Sequence, residues 1–199
     1  MDVIDHKFVE FPFADYLLVF ISIIVGYVCT EFFAGWGSLI RNRENVKMYW
    51  LHLAWTINFF CQLMVNWWWL WGNRIRLTEN FLYFFYTLIS PVIFYIISVF
   101  LFPTIKDGQV LDFKVYFYKN RNNIFGMFGM LISAYYVNNI WLRGQDIMSF
   151  DNIYCLTGIA FALISVAVKN ELFHVVNFCI GSVIFATYAI FFNDYSFIK

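Results

Sequence analysis

Six stretches of apolar residues, separated by short polar breaks, set the pattern of this chain. They lie near residues 16–40, 48–71, 80–103, 124–142, 152–168 and 173–192. An α-helix needs roughly 20 apolar residues to cross the hydrocarbon of a bilayer. It also satisfies its own backbone hydrogen bonds there, as any spanning element must. The pattern therefore predicts an all-α fold: a polytopic membrane helix bundle with six transmembrane helices, one domain over residues 1–199. The breaks leave no room for a soluble domain, so chemistry is expected inside the bundle or on its rim.

The longest break runs from Thr104 to Asn123. A helix starting at Leu111 would turn Phe113, Phe117 and the edge of Tyr116 toward lipid, with Lys114, Lys119 and Arg121 reaching outward. That predicts one interfacial amphipathic segment, drawn to anionic headgroups. The alternation of Leu111, Phe113, Val115 and Phe117 also fits a strand, but an isolated strand would leave its backbone unpaired. In the third stretch Pro91, beside Ser90, removes a backbone donor and predicts a kink.

Polar residues inside the stretches are few and patterned. Asn58, Gln62 and Asn66 recur at every fourth position. At about 100° per residue they share one helix face, which His52 and Thr56 extend. Such a face turns toward the bundle or toward water, as interhelical hydrogen bonding or as a path for solutes. Glu31 is the one charge between Asp15 and Arg41. A carboxylate there costs on the order of 2.5–3.5 kcal/mol and calls for a partner, a proton or water. Glu31 lies about 15 Å in from Arg41 and His52 about 7 Å in from Lys47, at the helical rise. His174 and Asn177 enter from the same side. The expectation is a polar cluster of Glu31, His52, His174 and Asn177 in the cytoplasmic half. It would hold, relay or sense protons, or else bond Glu31 to His52 or Arg41 and fix helix register.

Small residues form a second pattern. Ser22, Gly26, Thr30, Ala34 and Ser38 stand four apart in the first stretch, with shorter versions at Gly126, Gly129 and Ser133 and at Gly181, Ser182 and Ala186. They let helix backbones approach closely, within the monomer by first expectation and between copies otherwise.

Composition sharpens the class. Charged residues make up 13% of the chain against about 25% in a soluble domain, and 62% of residues are hydrophobic, more than one water-soluble core of this size can hide. Net charge is zero, which argues against direct nucleic-acid binding. The acidic start, MDVIDHKFVEFPFADY, lacks the basic region and cleavage site of a signal peptide, so the first stretch reads as a retained span. Cys29, Cys61, Cys155 and Cys179 have no metal or redox spacing, and no HExxH, GxSxG or phosphate-binding loop occurs. No cofactor, metal site or catalytic residue is expected, and the chain reads as a non-enzyme. Lysines and arginines number eight on one side and five on the other, which places both termini outside the cytoplasm of a bacterial inner membrane. Trp36 and Trp50 on one side, and Trp67, Trp68, Trp69, Trp71 and Trp141 on the other, fit interfacial belts.

The segments SIIVGYVCTEFFAGWGSLIRNR, MYWLHLAWTINFFCQLMVNWWWLW, SPVIFYIISVFLFP and FYKNRNNIFG resemble a broad group of bacterial six-span membrane proteins without an assigned activity. The likeness covers roughly residues 20 to 130 and implies the fold alone. In size, span count and Phe/Ile/Asn/Lys-rich composition the chain is also similar to membrane accessory proteins encoded beside RNA-targeting CRISPR effectors. That likeness implies a role in antiviral defence.

Three functions follow as expectations. The first is an oligomeric pore that conducts or senses ions or protons, with Glu31, His52, Asn58, Gln62, Asn66, His174 and Asn177 as its polar path. The second is an accessory protein that meets lipid or a cytoplasmic partner through Arg41, Arg43, Lys114, Lys119 and Arg121. An intramembrane or lipid-modifying enzyme is the third.

Overall fold

The computed structural model describes residues 13–105 and 110–192, the last two by backbone alone. Lys7, Lys106 and Lys199, which entered the charge count, lie outside those residues. The described chain is almost entirely helical: α1 (Phe13–Arg41), α2 (Trp50–Gly72), α3 (Phe81–Thr87), α4 (Ile89–Leu101), α5 (Phe113–Val137), α6 (Phe150–Ala167) and α7 (Glu171–Thr187). Two single π-helical turns, Asn138–Leu142 and Tyr188–Phe192, continue α5 and α7. Neighbours pack in the cyclic order α1, α4, α5, α6, α7, α2, with α2 also touching α4 and α5.

Side-chain caps start four of the helices. Asn80 accepts the Tyr83 N–H, Asp112 those of Lys114 and Val115, Ser149 that of Asn152, and Asn170 those of Leu172 and Phe173. Each takes up a donor that a helix N-terminus leaves free. The third apolar stretch divides at Leu88 into α3 and α4. Pro91 stands third in α4, in the first turn, where its missing N–H is tolerated. The carbonyl it leaves without an N–H is that of Thr87, and the Ser90 hydroxyl approaches it to 3.2 Å. The kink expected at Pro91 is thus a break just before it.

Aromatic and aliphatic side chains fill the centre, among them Phe32, Phe59, Phe94, Phe117 and Phe125, each at most 1% exposed. Outward faces are just as apolar. α7 buries only His174 and Asn177 and exposes Leu172, Val176, Ile180 and Val183. A helix with its polar residues inside and its apolar residues outside is matched to lipid. Four helical runs, Phe13–Arg41, Phe81–Leu101, Phe150–Ala167 and Glu171–Ile190, are long and apolar enough to cross a membrane. α2 and α5 match them in length, but α2 carries His, Asn and Gln along one side and α5 carries Lys and Arg in its first turns.

Three expectations change. The segment from Leu111 is no separate interfacial helix. Its residues from Phe113 are the first turns of α5, and Phe113 and Phe117 turn into the core at 1% and 0% exposure. The rings of His52 and Tyr49 on α2's start cover them, so lipid does not. A short strand at Leu111 does have a partner: Val46–Lys47 pairs in parallel with Leu111–Asp112 and ties two loops together. On α1, Gly26, Thr30 and Ala34 lie on an exposed face, and a Cβ on Gly26 would meet nothing within 4 Å. The middle of the stripe does not pack within the chain, whereas Ser22 at its start accepts from the Trp67 indole of α2. The close approach on α1 is at Gly35, where a Cβ would collide with the ring of Phe102. On α5 it is at Gly129, facing Ala162.

Candidate functional site

A cavity of about 160 Å3 lies between α2, α5, α6 and α7. Apolar cavities of roughly 150 Å3 stay dry; this wall is mostly apolar but also carries amide and hydroxyl groups. From α2 it receives Asn58, Gln62 and Asn66, the face anticipated from four-residue spacing. The Gln62 amide donates to Asn58 Oδ1 at 2.6 Å, and Asn58 Nδ2 donates to Ser182 Oγ on α7 at 3.1 Å. Asn66 Oδ1 lies 3.0 Å from the Ser90 hydroxyl of α4. From α7 comes Asn177, whose Nδ2 donates to Ser165 Oγ of α6 at 2.6 Å.

The end of α5 supplies the rest. In the π turn the Arg143 N–H returns to the Asn138 carbonyl at 3.1 Å, and the wider turn sets both Asn138 and Asn139 inward, at 4% and 7% exposure. Gly144 then takes φ 62°, a conformation open to glycine, and reverses the chain. This leaves Arg143 at the rim, its guanidinium 5.5 Å from the Trp69 ring and its Nη1 3.4 Å from Asn139 Oδ1. Tyr154 and Tyr188 stack at 4.3 Å beside it. Several polar atoms of the wall have no protein partner: Trp55 Nε1, Asn138 Oδ1, Arg143 Nε and Asn177 Oδ1. Such atoms cost about 1–3 kcal/mol each when nothing meets them.

Toward the loops at 42–49 and 168–170, aromatic rings pack beside the cavity. Phe125 packs on Trp55 at 5.1 Å and on His174 at 5.6 Å, and Phe117 lies between His174 and His52. Both imidazoles hold helix ends. His52 Nε2 is 2.8 Å from the carbonyl of Leu101, the last residue of α4, and His174 Nε2 is 2.9 Å from that of Val168, just past α6. These carbonyls lack intrahelical donors, so each ring donates through Nε2. Arg121 does similar work, its Nη2 donating to Val166 O at 3.2 Å.

The anticipated cluster is therefore only partly assembled. His52 and His174 are brought together through Phe117, and Asn177 lies one turn deeper in the cavity wall. Glu31 is elsewhere: half-exposed, about a quarter turn from the centre of α1's inward face, with Tyr27 rather than His52 or Arg41 as its interacting neighbour. Among the outward-reaching cations, Arg41, Arg43 and Lys119 are exposed. Lys114 pairs with Glu171 at 2.6 Å, which raises the ammonium pKa above the ordinary lysine value. Arg121 does not reach outward at all; it is 6% exposed beneath the end of α6. Asn138, Asn139 and Arg143 were missed, although two adjacent asparagines inside the fourth apolar stretch were a readable signal. Of the tryptophans, Trp67 bonds Ser22 Oγ at 3.0 Å and Trp69 lines the cavity, while Trp68 stacks on Trp71 outside.

Among the described residues, no three His, Cys, Asp or Glu side chains gather as a metal ion would require. Comparison with family models, with curated proteins and with solved structures finds no match to this chain.

Proposed function

We propose that the chain is a six-span inner-membrane protein whose amide-lined cavity is the inner chamber of a gated passage for a small polar solute or ion. The carrying observation is the cavity itself. Four helices turn Asn, Gln, Ser and Tyr side chains toward one another in a bundle whose outer faces suit lipid. Apolar side chains would close that space at less cost, because interhelical hydrogen bonds in lipid contribute only about 0.6 kcal/mol on average. On this reading α2 and α5 cross the bilayer as the inner pair, shielded by the four more apolar runs. The rings of Phe117, Phe125, His52 and His174 are the closed gate, and the histidines serve it as ring packing and helix-end donors.

The test is solute flux into vesicles holding the purified protein. Phe125→Ala opens the plug and is expected to raise flux well above wild type, while Asn58→Leu with Gln62→Leu lowers it. Vesicles of the Phe125→Ala protein that leak no ion or small polar solute at any voltage refute the passage. Reporter fusions after Ile40 and Val168 are expected on the same, cytoplasmic face.

One observation favours a second reading, an accessory protein of the kind the CRISPR-linked likeness implies. Arg41, Arg43 and Lys119 stand exposed and without ion pairs among the described residues. Loss of a captured protein partner on neutralising these three, with flux absent, is its signature.

A further inference from the structure

We infer that the chamber takes small monovalent anions in preference to cations, because among the described residues Arg143 is the one formally charged side chain in its wall. The inference rests on the passage reading for its site and names the class of solute. Among the described residues no carboxylate pairs with the Arg143 guanidinium. Its Nη1 meets a neutral amide oxygen at 3.4 Å, one face rests 5.5 Å from the Trp69 ring, and Nε has no protein partner. An arginine stays protonated at every working pH. A fixed cation without a direct ion pair at the mouth of a low-dielectric chamber attracts anions and repels cations, as arginine and lysine rings do in anion pores.

Asp151 is a nearby acid, held by neutral hydrogen-bond donors. Its two oxygens accept from Gln145 Nε2 at 3.1 Å and from the Tyr188 hydroxyl at 3.4 Å, and it does not line the cavity. Deeper in the wall, the amides of Gln62, Asn58 and Asn177 each spend one N–H on a protein acceptor. A primary amide carries two, so one donor per side chain remains for an anion. The Trp55 N–H, a donor without acceptor function, is unpartnered as well. The cavity volume suits a partly hydrated chloride or nitrate rather than a large organic anion.

The experiment is the reversal potential of the Phe125→Ala protein in bilayers under a potassium chloride gradient. The expected result is a potential near that of chloride, with anions about tenfold or more favoured. Adding Arg143→Gln is expected to bring the ratio near unity, while Arg143→Lys keeps the anion preference. A cation-selective current, or a ratio that Arg143→Gln leaves unchanged, overturns the inference while the passage stands. Iodide supplies a readout that needs no flux: it is expected to quench chamber tryptophans saturably in wild type and Arg143→Lys, and without saturation in Arg143→Gln. Saturable iodide quenching with no current keeps the anion site and removes the passage; linear quenching in wild type removes the site.

Discussion

Replacing His52 by alanine separates a proton-handling imidazole from one that holds a helix end. The ring is 1% exposed, packs against Phe113 with centroids 4.8 Å apart, and places Nε2 2.8 Å from the Leu101 carbonyl. Truncation leaves that carbonyl buried and unpaired, which costs about 1–3 kcal/mol. The void left by the ring adds about 2 kcal/mol, the low end for large-to-small core changes. Together these predict a loss of about 3–5 kcal/mol. For a chain of this length each kcal/mol moves the midpoint by about 2–4 °C, so melting in detergent, followed by tryptophan fluorescence, should fall by about 10 °C. His52→Gln restores a donor at similar reach and should recover part of the loss. Flux per folded molecule in vesicles should then match wild type across pH 5–8 in His52→Gln. A His52→Gln protein that melts like wild type yet has lost a pH-dependent flux would refute the helix-end role and restore the proton relay.

Gly35→Ala forces a methyl into the Phe102 ring and should lower stability by about 1–3 kcal/mol; Gly26→Ala, which meets open space, should leave the melting point unchanged or slightly higher. A shift in oligomer size caused by Gly26→Ala would instead show that the α1 stripe joins copies. Asn177→Val removes the 2.6 Å bond to Ser165 and should cost no more than about 1.7 kcal/mol, the upper range for such bonds in membranes; a larger melting shift would mean the cavity wall depends on it. The Lys114 ammonium has a pKa above its ordinary 10.5 because Glu171 accepts from it. Its contribution is therefore fully present below 10.5 and fades as pH rises through the raised value. The melting difference between wild type and Lys114→Met should be flat from pH 7 to 9 and shrink in stronger alkali, and a difference that vanishes by pH 9 contradicts the pairing.

Much of the fold was legible because helices in lipid impose simple rules. Length and apolarity marked the helical stretches, Pro91 marked the break in the third, and the spacing of Asn58, Gln62 and Asn66 marked one polar face on α2. Each of these depends on residues within one helix. Glu31 shows where that logic stops. Its depth matched that of His52, but depth leaves rotation about the helix axis free, and α1 settled with Phe32 and Val28 inward and Glu31 on the flank. Phe113 and Phe117 failed for a related reason. In a chain this apolar, a phenylalanine suits lipid and core almost equally, so only neighbouring helices decide.

The sequence by itself determined a helical, membrane-suited chain and the inward face of α2, because periodicity and hydrophobicity act within a single segment. Tertiary structure alone decided that Asn138, Asn139, Arg143 and Asn177 meet that face around one cavity, and that the histidines cap helix ends. Azimuth and register between helices arise from packing across the bundle, where side chains distant in sequence compete for the same space.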